Sequence, residues 1–432
     1  MSLLKKSKNQ LKSSCLNWLT DEGDIVMYEG KIIKFYREKY KLTQEQLGKG
    51  ICSVTHISKI ECAQTTYATD TITLLSKRLG INMELEVKKL INIKQQLFKW
   101  HEAIIMQLFD EMDQINDELE REELIKISEY NNMYQLLRAR YLLLHNNAHE
   151  AFKIIKKIKK IENKLTPYDN NLLKHVLGIY YMLNQDFITA IQTLKAIQNE
   201  FYNNPEYYYQ LAVAYHTLQS PVLAYYYAEK SHQFFEYMNN YPRVIDAEML
   251  MIIQVKDDDD YEEIINRFKN LIKSCELCNA PDRKARVLHN LAYEYFRRKE
   301  YDQASWYYKE SMSLKENESP PYLLSLEGYI LSSFHGDLIP NEELIQLAEK
   351  GLTIASNNNQ LLYIHLFKLL FYLLKSKEKE YYQYLSNKAL PMFIKCGYTF
   401  WIQRSKKELF DYYYKMKLTD EALEMAQLLI NP

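Results

Sequence analysis

The strongest constraint on how this chain folds is a spacing. Leu177-Gly178-x-x-Tyr181 with Ala190 returns as Leu211-Ala212-x-x-Tyr215 with Ala224, an offset of 34 residues at each position. A third copy, Leu291-Ala292-x-x-Tyr295 with Ala304, lies 80 residues further on, room for one repeat of standard length and one lengthened by the KDDDD segment. Weaker copies sit at Ala139 with Ala151, at Gly328 with Ala348, and at Leu409-x-x-x-Tyr413 with Ala422 and Ala426. Gly or Ala at a constant place lets two helices cross closely, and the tyrosine fills the groove beside the crossing. Each hairpin then buries its second face only against the next one. Such a chain is an array rather than one closed core, with about seven to nine hairpins if connecting helices are included.

Composition agrees with an all-α chain. Gly and Pro number only 10 each, too few for the turns of a sheet protein, and Leu, Lys, Glu, Ile and Tyr dominate. The period and the order Leu, small residue, aromatic, Ala resemble the tetratricopeptide repeat, which implies a right-handed superhelix with a groove lined by the first helix of each hairpin. Four regions follow. Residues 1–29 are an extension of unassigned role, with Leu4, Leu11, Cys15, Trp18 and Leu19 spaced like one helix face and an acidic turn at Asp21-Glu22-Gly23-Asp24. Residues 30–82 are a string of short helices. Residues 83–131 are connecting helices carrying Leu90, Leu97, Trp100 and Ile104, and the repeats occupy 132–432.

The net charge of −1 conceals an asymmetry: residues 1–90 hold fifteen Lys and Arg against ten Asp and Glu. A small basic module on a mildly acidic body suits a nucleic-acid reader joined to something else. Within it, GKIIKFYREKYKLTQEQLGKGICSVTHISKIE has the grammar of a helix-turn-helix. Gly30, Ile33 and Arg37 fit a first helix. Thr43 caps a second helix with Gln46 three residues on, the two halves of a capping box, and Leu47 anchors that helix in the core. Gly50 supplies a left-handed stop, and Ser53 caps a third helix that runs to Glu61 with Ile57 and Ile60 inward. Ser53, Thr55, His56 and Lys59 then face outward at the start of the third helix, where a recognition helix meets base edges. Gln44 is placed for a phosphate or first-base contact, and Lys31, Lys34, Lys49 and Lys77 are candidate phosphate contacts, each of which reads as a solvated lysine first.

The string LTQEQLGKGICSVTHISKIE resembles the Xre/Cro-type helix-turn-helix, and GICSVTHISKIE is similar to the peptide-sensing regulators of Gram-positive bacteria that include PlcR and NprR, the RRNPP family. In that family the same module, a five-helix domain, precedes a tetratricopeptide domain, so the resemblance covers residues 30–432. The chain departs from it in Glu61-Cys62-Ala63, where Glu-Asn-Gly is common, in Gly48, where alanine is usual, and in the extension. The resemblance implies a cytoplasmic, homodimeric transcription regulator, switched by a short secreted signalling peptide held by groove asparagines. Repeat spacing leaves Tyr209, Gln210, Val213 and His216, and Arg286, His289, Asn290, Tyr293 and Arg297, free of packing duty and facing the groove. An Asn or Gln there bonds a peptide backbone through both C=O and NH₂, and an Arg holds a carboxylate; Asn290 is the first candidate. The alternative is a Rap-like phosphorelay modulator whose partner is a response regulator.

No catalytic constellation is legible. GxSxG, HExxH and phosphate-cradling glycine loops are missing, so neither an enzyme nor a cofactor is expected. Cys275 and Cys278 form a single CxxC without further ligands and read as structural, and Asp257–Asp260 lacks the glycine and glutamate of a calcium loop. Six scattered cysteines suit a reducing compartment, and no stretch of 18 apolar residues suggests a membrane span.

Overall fold

The computed structural model describes residues 22–430, apart from 63, 65–67, 127–129 and 256–260, and the backbone alone of 22–27. The helix-face reading of Leu4 to Leu19, the identity of residue 63 as a turn position and the Asp257–Asp260 loop lie outside the described residues. Among the described residues every regular element is a helix. The chain divides into two compact units, Met1–Val176 and Leu177–Pro432.

The first unit opens with α1 (Glu22–Lys39), α2 (Gln44–Gly48), α3 (Val54–Glu61) and α4 (Thr69–Leu79). Part of the acidic turn expected at residues 21–24 is helix instead: Glu22, Gly23 and Asp24 belong to the first turn of α1. Ile33, Leu47, Ile57, Ile60, Ile72, Leu75 and Leu79 close a single small core, each fully buried aliphatic side chain contributing roughly 1.5–3 kcal/mol. Next come α5 (Met83–Met106), α6 (Phe109–Arg121), α7 (Asn131–Leu144) and α8 (Ala148–Lys159). Leu90, Leu97, Trp100 and Ile104 are buried along α5 as their spacing implies, and the Trp100 indole donates to the Met112 carbonyl at 3.1 Å.

Helix α9 (Pro167–Leu183) carries the chain into the second unit, which holds α10 (Phe187–Lys195), α11 (Tyr207–Thr217), α12 (Pro221–Tyr237), α13 (Tyr241–Ile252), α14 (Tyr261–Leu277), α15 (Pro281–Arg297), α16 (Tyr301–Ser313), α17 (Pro320–His335), α18 (Asn341–Asn357), α19 (Leu361–Leu374), α20 (Glu378–Tyr384), α21 (Leu390–Cys396), α22 (Thr399–Lys415) and α23 (Thr419–Ile430). They alternate as first and second members of hairpins. The small residues sit at crossings: Ala190, Ala212, Ala224, Ala292, Ala304 and Ala348 are wholly buried. A Cβ on Gly178 would stand 2.4 Å from Leu194 Cδ2, and one on Gly328 would stand 2.4 Å from Tyr308 Cζ. The lengthened repeat is the pair α13–α14. The pair formed by α19 with α20 and α21 escaped the pattern, because its crossing reverses the roles: Gly351 of α18 is the small partner and Phe367 of α19 the large one. A π-turn at Leu385–Ala389 separates α20 from α21 just before Pro391, whose ring cannot continue the ordinary ladder.

Candidate functional site

The reading head is built by caps. Thr43 accepts from the Gln46 amide at 3.1 Å while the Gln46 side chain accepts from the Thr43 amide at 2.8 Å, so α2 starts with a closed capping box. Gly50 adopts φ 74°, the left-handed conformation that ends the turn, and Ser53 accepts from the His56 amide at 3.2 Å to start α3. With Ile57 and Ile60 fully buried, the opposite face of α3 presents Ser53, Thr55 and Lys59 exposed and His56 half-buried. Lys34 is exposed on α1. Gly48 faces the close approach of α3, where a Cβ would stand 3.2 Å from Ile57 Cγ1, so alanine would require the isoleucine to yield slightly.

One carboxylate ties these helices together, and sequence reading missed it. Glu61, at the end of α3, accepts from Arg37 Nε at 2.5 Å, Arg37 Nη2 at 2.9 Å and Gln44 Nε2 at 2.9 Å. Gln44, expected to point at DNA, therefore has its amide engaged inside the module, leaving its other N–H and its oxygen for an outside contact. Arg78 of α4 donates to the carbonyls of Leu47 and Lys49 at 2.7 and 2.6 Å, satisfying the end of α2.

The first-helix face of the second unit carries the other candidates. On α11, Tyr209 lies under the Arg243 guanidinium at 4.2 Å, and burial raises its phenol pKa. Gln210 keeps a buried side-chain oxygen that no described group hydrogen-bonds. Val213 packs in the core around Ala212 and Leu250. His216 Nδ1 is 3.0 Å from Gln254 Nε2 on α13. On α15, Asn290 donates to the Met249 sulfur at 3.2 Å, a weak acceptor that leaves the amide carbonyl and second N–H unspent. Tyr293 stands edge-on to Phe400 of α22 with centroids 6.1 Å apart, and Arg297 Nε lies 3.3 Å from Glu294 Oε2.

Tyr209 and Val213, packed against the cluster of Ala212, Ala228 and Leu250, have packing duty that repeat spacing did not foresee, and so do two positions on α15. His289 turns into the junction with α17, its Nδ1 2.9 Å from Ser325 Oγ and its ring edge-on to Tyr308. Burial, with the Lys315 charge nearby, lowers its pKa to about 3, which keeps the imidazole neutral. Arg286 is ion-paired at 2.8 Å to Asp246 of α13, a carboxylate that also takes Arg243 and Arg283. Aligning Ala247 with Ala212 and Ala292 would have exposed Asp246 as its neighbour.

Cys275 is buried in α14, and burial pushes its thiol up to about 11, far from a reactive thiolate. Among the described residues no group of three or more His, Cys, Asp or Glu side chains is placed to hold a metal ion, and no helix is long and apolar enough to cross a membrane.

The helix-turn-helix family profile matches residues 33–85. Transcriptional activator NprA of Geobacillus stearothermophilus is 23% identical over 80% of this chain and 89% of its own length. Regulatory protein RapD of Bacillus subtilis is 24% identical over 54% of this chain and 67% of its own. The apo form of the quorum sensor NprR from B. thuringiensis superposes with a TM-score of 0.64 at 22% identity, covering 79% of this chain and 98% of NprR. NprR in complex with its cognate peptide NprX gives 0.62, also at 22%, over 78% and 98%. With a helix-turn-helix at its start and a helical-repeat fold behind it, the chain is similar to NprA in sequence and to NprR in fold.

Proposed function

We propose that this protein is a transcription regulator that binds double-stranded DNA as a homodimer through α3 and responds to a short signalling peptide lying along the first helices of the repeats. One observation carries the DNA half. The wholly buried Ile57 and Ile60 hold α3 in one rotational setting, and that setting turns Ser53, Thr55 and Lys59 to solvent at its capped N-terminal end. Two such heads give a two-fold symmetric site with half-sites about 34 Å apart or a multiple of it. The unspent amide groups of Asn290 and the unpartnered oxygen of Gln210 support the peptide half. So do the relatives: NprA is named a transcriptional activator, and NprR has been solved with a cognate peptide.

A selected-site assay with the full chain tests the DNA half. A motif should be enriched, binding should weaken steeply with salt, and Thr55→Ala or His56→Ala should alter one base position by about 1–3 kcal/mol. Lys34→Ala should weaken all sequences alike. No enriched motif would refute the reading. For the peptide half, Asn290→Ala should leave folding and operator binding intact while lowering peptide affinity roughly 10-fold to 100-fold. Similarity to RapD favours a second role, in which the helical part binds a response regulator; tight binding of a response regulator without any DNA binding would make that the main one.

A further inference from the structure

Asp246 is the centre of a cluster of arginines. Its carboxylate, 2% exposed, accepts from Arg243 Nη1 at 3.2 Å, Arg283 Nε and Nη2 at 3.2 and 3.0 Å, and Arg286 Nη2 at 2.8 Å. Four contacts fill the roughly four lone-pair sites a carboxylate offers, so this one carboxylate is shared by three guanidinium groups and is saturated. Arg243 is locked, 6% exposed and stacked over Tyr209 and Phe235 at 4.2 and 4.8 Å. Arg286 is not. Its side chain is 46% exposed, and Asp246 takes only one of its five N–H groups.

A second cation reaches the same helix through a shared serine. Lys315, just beyond α16, donates to Ser325 Oγ at 2.5 Å, and no described carboxylate pairs with it. Ser325 is already shared with His289 at 2.9 Å and Ser311 at 3.3 Å, both neutral. Burial and the Arg286 charge together lower the Lys315 pKa to about 8. Arg286, which spends one N–H on Asp246, and Lys315, which reaches His289 of the same helix through Ser325 and meets no described carboxylate, leave positive charge that a bound anion relieves.

We propose that Arg286 and Lys315, with Arg283 behind them, form a carboxylate subsite that receives an acidic side chain or the free C-terminus of the bound peptide. The subsite rests on the peptide reading above. The same guanidinium set already holds one carboxylate, that of Asp246, so its geometry suits a planar two-oxygen anion. Asn290 lies four residues after Arg286 on the same helix face, which separates the two by about one turn, or 5–6 Å between Cβ atoms. A peptide whose backbone amide is held at Asn290 thus presents its next carboxylate to Arg286.

The test is affinity selection on the immobilised full chain with pools of synthetic heptapeptides of otherwise random sequence. The pools carry Asp or Asn at the varied acidic positions, each with a free or an amidated C-terminus, and retained peptides are read by mass spectrometry. The wild type should enrich peptides carrying a carboxylate. Loss of enrichment on amidation identifies the C-terminus as the source, and loss on Asp-to-Asn exchange identifies a side chain. Arg286→Gln and Lys315→Met, with thermal melts near the wild type, should each lower affinity for an enriched peptide roughly 10-fold to 100-fold. The same variants should leave neutral, amidated peptides unaffected. Enrichment of peptides irrespective of carboxylate, or unchanged affinity in both variants, overturns the subsite while leaving the peptide reading standing. Retention of no peptide from any pool overturns both.

Discussion

Replacing Glu61 by alanine should loosen the DNA-reading module while leaving the exposed face of α3 unaltered. The Glu61 side chain is 3% exposed and receives three N–H groups, two from Arg37 on α1 and one from Gln44 on α2. Removing one partner of a buried pair costs about 3–5 kcal/mol, because the other charge stays behind. Here the stranded Arg37 is 13% exposed and keeps the Leu42 carbonyl at 3.0 Å and the exposed Glu38 at 3.4 Å. Those partners reduce the loss to about 2–3 kcal/mol. Against a domain stability of about 5–15 kcal/mol the module stays folded most of the time, but local opening becomes roughly 30-fold to 150-fold more frequent. Hydrogen exchange of the α2 and α3 amides reads this directly: protection should fall by that factor in Glu61→Ala and by less in Glu61→Gln, which keeps hydrogen bonding but not charge. If exchange across α2 and α3 were unchanged in Glu61→Ala, the carboxylate would not be what holds the three helices together.

Three further outcomes follow from the same geometry. Gly328→Ala places a methyl 2.4 Å from Tyr308 Cζ, so overpacking should destabilise the repeats by about 1–3 kcal/mol in urea unfolding, and Tyr308→Leu should recover part of it. His289 is held neutral with its pKa at about 3; between pH 3 and 6.5 the unfolded chain binds a proton that the folded one refuses, so this contribution is complete above 6.5 and is lost as pH falls. His289→Gln should therefore flatten the decline of stability with falling pH by at most about 1.4 kcal/mol per pH unit, and an unchanged slope would place the imidazole in solvent. Ser53→Ala should cost about 1 kcal/mol of cap stability, whereas Ser53→Gly should cost only a few tenths; DNA affinity reduced equally in both would assign the serine a contact with DNA beyond its cap.

The local grammar of the chain was legible because its causes are local. The Thr43–Gln46 capping box, the Gly50 stop, the Ser53 cap and the inward Ile57 and Ile60 each depend on residues three or four apart, and the structure has all of them. Small residues recurring at 34 revealed most hairpins for a similar reason: helix crossings tolerate little volume, so the constraint is written at each crossing. Where Gly351 and Phe367 exchange the small and large roles, no such mark exists. The start of α1 was misread because acidic residues serve turns and helix N-termini alike.

The sequence by itself determined that the chain is a capped helix-turn-helix followed by stacked helical hairpins, and which face of α3 is left polar. Only the tertiary structure decided which charges meet. Glu61 finds Arg37 across 24 residues and Asp246 finds Arg286 across 40, and His289 turns from an expected groove position into a helix junction. Helical periodicity assigns a residue to a face. Which carboxylate a given arginine reaches depends on how adjacent hairpins pack, and that is set by the summed volumes of side chains far apart in the chain, which no local pattern records.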